Sequence, residues 1–234
     1  MSIDLRNSDS FCSRIFMTQS FPAKKDIYLS FQTPQVPRLI TESSDGFVST
    51  EDGDVIIVNS TTNVTIFLVR GSISPDTSPD KGDTGIGTGI LALTSTGKNN
   101  IRDHVASVSL DFYGGYGLKN AFKDGGDKGN FELVPNSITA RISSDSSEID
   151  FLSTVEVEDF DILTTDFKTF RISFKEHLNR IVVERKNQED EIYESVFDAE
   201  TFFKIERLPK ELRVGIAASG NARFSIKDPT YSFG

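Results

Sequence analysis

An all-β chain of two packed antiparallel sheets is the fold class this sequence predicts, and three observations predict it. Short runs rich in Val, Ile and Phe recur along the chain, each bounded by Gly, Pro, Asn, Asp or Ser. Within several runs apolar and polar residues alternate, the period of a strand with one face on a core. No run alternates with long helical patterns, so many short strands with turn clusters point to a sandwich or barrel rather than to βαβ units. The 234 residues suit one large sandwich domain, and a 37% hydrophobic content supplies its core. With 19 Phe and no Trp, that core is filled by Phe together with Ile, Leu and Val.

The elements can be justified in order. "DVIIVNS" and "NVTIFLVRG" are β-branched runs between turn residues. A long Pro, Asp, Ser and Gly loop follows the second, and loops of that length tend to carry binding residues or lack order. "VSLDFYG" alternates, with Val108, Leu110 and Phe112 on one face and Ser109 and Asp111 on the other. "KTFRISFKE" turns Phe170, Ile172 and Phe174 inward, and "NRIVVER" follows after a short turn, so the two read as a hairpin. "ELRVGIAAS" and "ARFSIKD" place Leu212, Val214, Ile216 and then Ala222, Phe224, Ile226 inward. Residues 64 to 69, 170 to 174, 212 to 216 and 222 to 226 are therefore the expected inward-facing strands. In "DAETFFKIERL" Asp198 stands at an N-cap position, an expected single helical turn. The Ser/Asp-rich "SSDSSEID" reads as a loop within one domain spanning residues 1–234.

Charge and cysteine usage exclude several classes. Lys and Arg number 25 against 35 Asp and Glu, a net charge of −10. Such a chain repels phosphate backbones, so neither nucleic acid nor an anionic membrane is an expected partner. No run approaches the roughly 18 apolar residues of a membrane span. The N-terminal "MSIDLRNSDSFCSRIF" lacks the basic and apolar regions of a signal peptide. Cys12 is the sole cysteine and cannot form an internal disulfide. Synthesis in a reducing cytoplasm is expected, and the sequons at Asn59 and Asn63 are then chance matches.

Four stretches together resemble the L-type (legume-type) lectins and their concanavalin A-like jelly-roll sandwich. They are "TIFLVRGSISPD…GIGTGILALT", "VASVSLDFYGG…VPNSITARI", "FRISFKEHLNRIVVER" and "LPKELRVGIAASGNARFSIKDPTYSF", which span residues 64 to 233 in the family's order. The resemblance implies that the first 60 residues supply the opening strands, one of them pairing near the C-terminus. It also implies a sugar site built from an Asp before the first of these strands, a loop Gly and a loop Asn. Here those positions fall on Thr62, on Gly85 or Gly87, and on Asn120. Thr62 offers a hydroxyl without charge, so the charge-assisted bonds of the Asp are lost. A glycine at 85 or 87 serves either a ligand that must approach the backbone or a turn with positive φ.

The family's metal pair rests on a Glu and an Asp two apart on one strand face. Ser109 replaces the Glu, Asp111 matches the Asp, and Asn130 stands where a His would be. A transition metal is thereby disfavoured. The oxygen donors Asp111, Asn120, Asp124 and Asp127 form a candidate Ca²⁺ set, and no other cofactor is expected. The carboxylates Asp76, Asp80, Asp83, Asp124 and Asp127 are expected to gather at one end of the sandwich. There they would bind Ca²⁺ weakly or dock a basic surface of another subunit, with Tyr113 or Tyr116 in the contact. Glycoside hydrolases of this fold use an "ExDxxE" strand. The nearest match, Glu148, Asp150 and Ser153, lacks the second Glu, and Glu156 and Glu158 share a strand face as readily solvated as catalytic. Neither His104 nor His177 has a nucleophile motif beside it, so the chain is read as a non-enzyme.

"LDFYGGYG…VPNSITARI" is also similar to lectin-like proteins from viruses of marine bacteria. That resemblance implies a structural or adhesion component of a bacteriophage virion, at the tail, neck or capsid surface. Its partners would be other virion proteins or further copies of the chain. The alternative is a carbohydrate-binding lectin that recognises a cell-surface glycan, with calcium dependence left open.

Overall fold

The computed structural model describes residues 2–5, 12–33, 47–49, 55–57, 63–72, 104–111, 134, 136–143, 150–157, 168–186, 191–201, 208–219 and 224–234. Among them the chain is all-β, with two large antiparallel sheets and no helix long and apolar enough to cross a membrane. The strands are β1 (Ser2–Leu5), β2 (Cys12–Phe16), β3 (Phe21–Pro22), β4 (Ile27–Thr33), β5 (Phe47–Ser49), β6 (Val55–Ile57), β7 (Asn63–Arg70) and β8 (His104–Asp111). They continue with β9 (Ser137–Ile142), β10 (Asp150–Glu156), β11 (Lys168–Lys175), β12 (Arg180–Lys186), β13 (Tyr193–Glu200), β14 (Glu211–Ser219) and β15 (Phe224–Phe233).

The back sheet runs β1-β15-β4-β11-β12-β13 and the front sheet β10-β9-β8-β7-β14-β2, with β3 beside β14 and a small β5-β6 pair apart. The N-terminal strand pairs near the C-terminus, Ser2 opposite Lys227 and Leu5 opposite Phe224, as the lectin resemblance implies. Apolar residues at every second position of the two sheets meet in one core. Ile66, Val108, Leu110, Ile138, Val214 and Ile216 from the front pack with Ile27, Leu29, Phe170, Ile172, Phe174 and Val183 from the back.

The expected hairpin is β11-β12, with Phe170 opposite Arg185 and Lys175 opposite Arg180. Its turn holds three consecutive non-glycine residues at positive φ: Glu176 at 52°, His177 at 58° and Leu178 at 70°. Left-handed backbone costs an L-residue about 1–2 kcal/mol. Bonds from distant segments offset that cost: the Glu176 N–H donates to Asp26 Oδ1 at 2.9 Å, and the Thr201 hydroxyl donates to the Leu178 carbonyl. The Leu178 side chain is buried.

One expectation is corrected, and residues 202–207 of the expected helical turn lie outside the described residues. Asp198 does not cap a helix. Residues 198–200 complete β13, and the Asp198 carboxylate accepts from Arg180 Nε at 2.8 Å across the sheet. Residues 64–69 form the expected inward-facing strand, with Val64, Ile66 and Leu68 in the core. They alternate between two buried faces, because the front sheet is covered on both sides: Thr65, Phe67 and Val69 are as enclosed as Ile66 and Leu68. Of the stretch 222 to 226, residues 222 and 223 and the side chains of 224–226 lie outside the described residues.

That second face depends on Gly215. Phe67 pairs with Gly215 across β7-β14, and a Cβ added at Gly215 would lie 2.3 Å from the Phe67 ring. The same ring meets Phe16 edge-on, with centroids 5.7 Å apart. Gly215→Ala is expected to cost about 1–3 kcal/mol as the ring is forced off its site. Urea denaturation checks this, and pairing it with Phe67→Leu should lose less than the two single changes added together.

Candidate functional site

The covered face of the front sheet is polar at its centre. Antiparallel pairing sets Thr65 opposite Ser109 and Ser109 opposite Thr139. The Thr65 hydroxyl donates to Ser109 Oγ at 2.9 Å, and the hydroxyls of Thr139 and Thr154 lie 2.6 Å apart. Asp111, 1% exposed, closes the row at the end of β8 between Asn63 and Ser137. Arg141, wholly buried, lies 5.6 Å above the Phe151 ring.

A register shift between Leu68 and Val69 leaves Val105 as an extra residue on β8. A strand normally places residues three apart on opposite faces. The extra residue brings His104 and Ser107 to the same face instead. His104 Nε2 is 2.9 Å from Ser107 Oγ, and Nδ1 is 2.7 Å from Ser143 Oγ. Burial, with the Arg141 charge adding to it, holds His104 down to about 3. The imidazole is therefore neutral at physiological pH. Two hydroxyls flank it and the trio is sealed from solvent, so its chemistry is structural. Sequence reasoning found neither serine. Ser107 is hidden by the bulge, and Ser143 lies 39 positions away in sequence.

At the same end of β7, the Arg213 guanidinium acts as a staple. Nη1 donates to the carbonyls of Met17, at 2.7 Å, and Thr18, while Nη2 donates to that of Gly71 at 3.3 Å.

Of the site residues expected from sequence, Asp111 is described, buried and at a strand end. Thr62, Gly85, Gly87, Asn120, Asp124 and Asp127 lie outside the described residues, as do Tyr113, Tyr116, Asp76, Asp80 and Asp83. The chain neighbour of Thr62, Asn63, pairs with Asp111. Ser109, at the position of the metal-binding Glu, is instead engaged by Thr65. Where the two long loops lie relative to each other falls outside the described residues. The strands that precede them, β7 and β8, are antiparallel neighbours, with Val69 opposite His104 and Asn63 opposite Asp111. Among the described residues no group of three His, Cys, Asp or Glu side chains is placed to hold a metal. Of the glycosidase match, the Ser153 side chain is half-buried on β10, Glu156 is exposed, and Glu148 and Glu158 lie outside the described residues.

This order of strands, with a six-stranded back sheet on a larger front sheet, is the legume-lectin, concanavalin A-like jelly-roll sandwich. No protein-family model matches the chain, and no sequence match to a curated protein is found. Solved structures do match along its whole length. Lectin I-B4 from Griffonia simplicifolia, in a metal-free form, aligns over 100% of this chain and 88% of its own, with a TM-score of 0.63 and 16% identity. Basic winged bean lectin with Tn-antigen aligns over 100% and 86%, with a TM-score of 0.60 and 10% identity. The VIP36 exoplasmic/lumenal domain, in a Ca²⁺/Man-bound form, aligns over 99% and 77%, with a TM-score of 0.54 and 13% identity.

Proposed function

We propose that this chain is a non-enzymatic carbohydrate-binding protein of the lectin type. One observation carries the reading: full-length likeness to a sandwich whose matched structures include lectins solved with galactose, with Tn-antigen and with GalNAc. The absence of a second carboxylate at Ser153 supports the non-enzymatic part. The virion role draws no support from the fold or from these neighbours, and the carbohydrate-binding alternative takes its place.

Calcium is the cation that the donors admit, held by Asp111 with Asn120, Asp124 and Asp127. Ser109 contributes no carboxylate, and its hydroxyl already serves the sheet. Asn120 belongs to both the expected sugar site and this calcium set, so glycan binding at the loop end is expected to weaken in EDTA. The test is a glycan array followed by titration calorimetry of the best hit, with and without EDTA. Array-wide silence would refute the reading. In parallel, calcium is expected to raise the melting temperature of the wild type but not of Asp124→Asn/Asp127→Asn.

A further inference from the structure

The outward face of the back sheet carries a groove of about 310 Å³ that the loop-end site does not use. Tyr28 and Ser30 of β4, Arg171 of β11, Tyr193 of β13, and Thr230 and Ser232 of β15 line it. Cross-strand register assembles it: Ser30 pairs with both Arg171 and Thr230, and Tyr28 pairs with Ser232. A bulge between Lys227 and Thr230 sets that register, and Pro229 lies inside it, where the ladder needs no N–H.

The charge in the groove is fixed and cancelled. Arg171 Nε and Nη2 donate to the two Glu184 oxygens at 2.7 and 2.8 Å, and its guanidinium stacks 4.3 Å from the Tyr193 ring centroid. That fork holds the arginine rigid and uses two of its five N–H donors. The Arg171 hydrogen bond holds the Glu184 carboxyl below its ordinary range, so the pair stays ionised and neutral overall.

Three ligand classes can be compared on this surface. An anion gains little, because Glu184 already cancels Arg171. A purely apolar partner would strip water from the hydroxyls of Ser30, Thr230 and Ser232 without replacing it. A sugar ring presents C–H faces to aromatic rings and hydroxyl edges to mixed donors and acceptors, which is what Tyr28, Tyr193 and the three hydroxyls offer. The volume lies at the small end of ligand sites, enough for one or two rings. We propose that this back-sheet groove is a saccharide-binding site, separate from the loop end of the front sheet.

This rests on the carbohydrate-binding reading and deepens it. The probe is a panel of galactose-, mannose- and glucose-terminated oligosaccharides titrated against the full chain, with backbone amide shifts followed by NMR. Tyr28→Ala and Tyr193→Ala are expected to weaken the best ligand by tenfold or more. Thr230→Lys, at an exposed position, should fill the groove and do the same without loss of melting temperature. The amides of Tyr28, Arg171 and Thr230 should shift on titration. If an oligosaccharide binds and the three groove variants hold it as tightly as wild type, the groove assignment is overturned and the lectin-type reading stands. If no member of the panel binds the wild type, both fall.

Discussion

Phe174→Ala is expected to lower the free energy of unfolding by about 3–5 kcal/mol. Phe174 is fully buried on β11, a strand with neighbours on both sides, and it pairs with Ile27 on β4 and Ile181 on β12. Those partners are themselves fully enclosed and anchored in their own ladders, so the wall cannot collapse into the cavity. Phe170 occupies the same face, stacked with Phe31 at 6.4 Å, and should behave alike. A domain's whole stability is about 5–15 kcal/mol, so either change removes a large share of it. The midpoint of urea denaturation, at unchanged slope, measures the loss. A loss under about 1 kcal/mol would place the ring outside the core.

The second large effect is acid sensitivity through His104. Its folded pKa of about 3 lies below the ordinary 6.5, so the unfolded chain binds a proton that the folded chain refuses. Unfolding therefore takes up protons, and stability falls as pH drops from about 6.5 toward 3. The slope from this group is roughly 1.4 kcal/mol per pH unit, a total on the order of 5 kcal/mol. Above pH 6.5 its contribution is complete and flat. His104→Asn removes the titration while keeping polar contact with Ser107 and Ser143. The stability lost between pH 6.5 and 4.5 should then be smaller by roughly 2–3 kcal/mol than in the wild type. The imidazole carbon shifts of His104 should also remain those of a neutral ring at pH 5. A normal titration near 6.5 would show that the ring is solvated.

The hairpin β11-β12 was legible because its information is local. Phe170, Ile172 and Phe174 alternate over a few positions, and the turn follows at once. The same local period identified β14 and the inward side of β8. The N-cap reading of Asp198, which lies within β13, shows the weakness of short signals. An N-cap residue also serves on a strand surface when an arginine lies diagonally across the ladder, and Arg180 is 18 positions away. The sugar and metal positions were legible only by resemblance, and of these the described residues include Asp111.

From sequence alone came the all-β class, the alternation of the main strands, the acidic character and the missing carboxylate at Ser153. These depend on composition and on a period of two, which a linear reading contains in full. Tertiary structure alone decided what each face meets. It buried the polar side of the front sheet, so that Thr65, Ser109 and Asp111 line an interior. It placed Val105 in a bulge that turns His104 toward Ser107, and set Gly215 beneath the Phe67 ring. It also drew Tyr28, Arg171, Tyr193 and Thr230 into one groove from four strands far apart in the chain. Alternation says that a strand has two sides, while the covering of each side depends on register between distant segments, which no local pattern encodes.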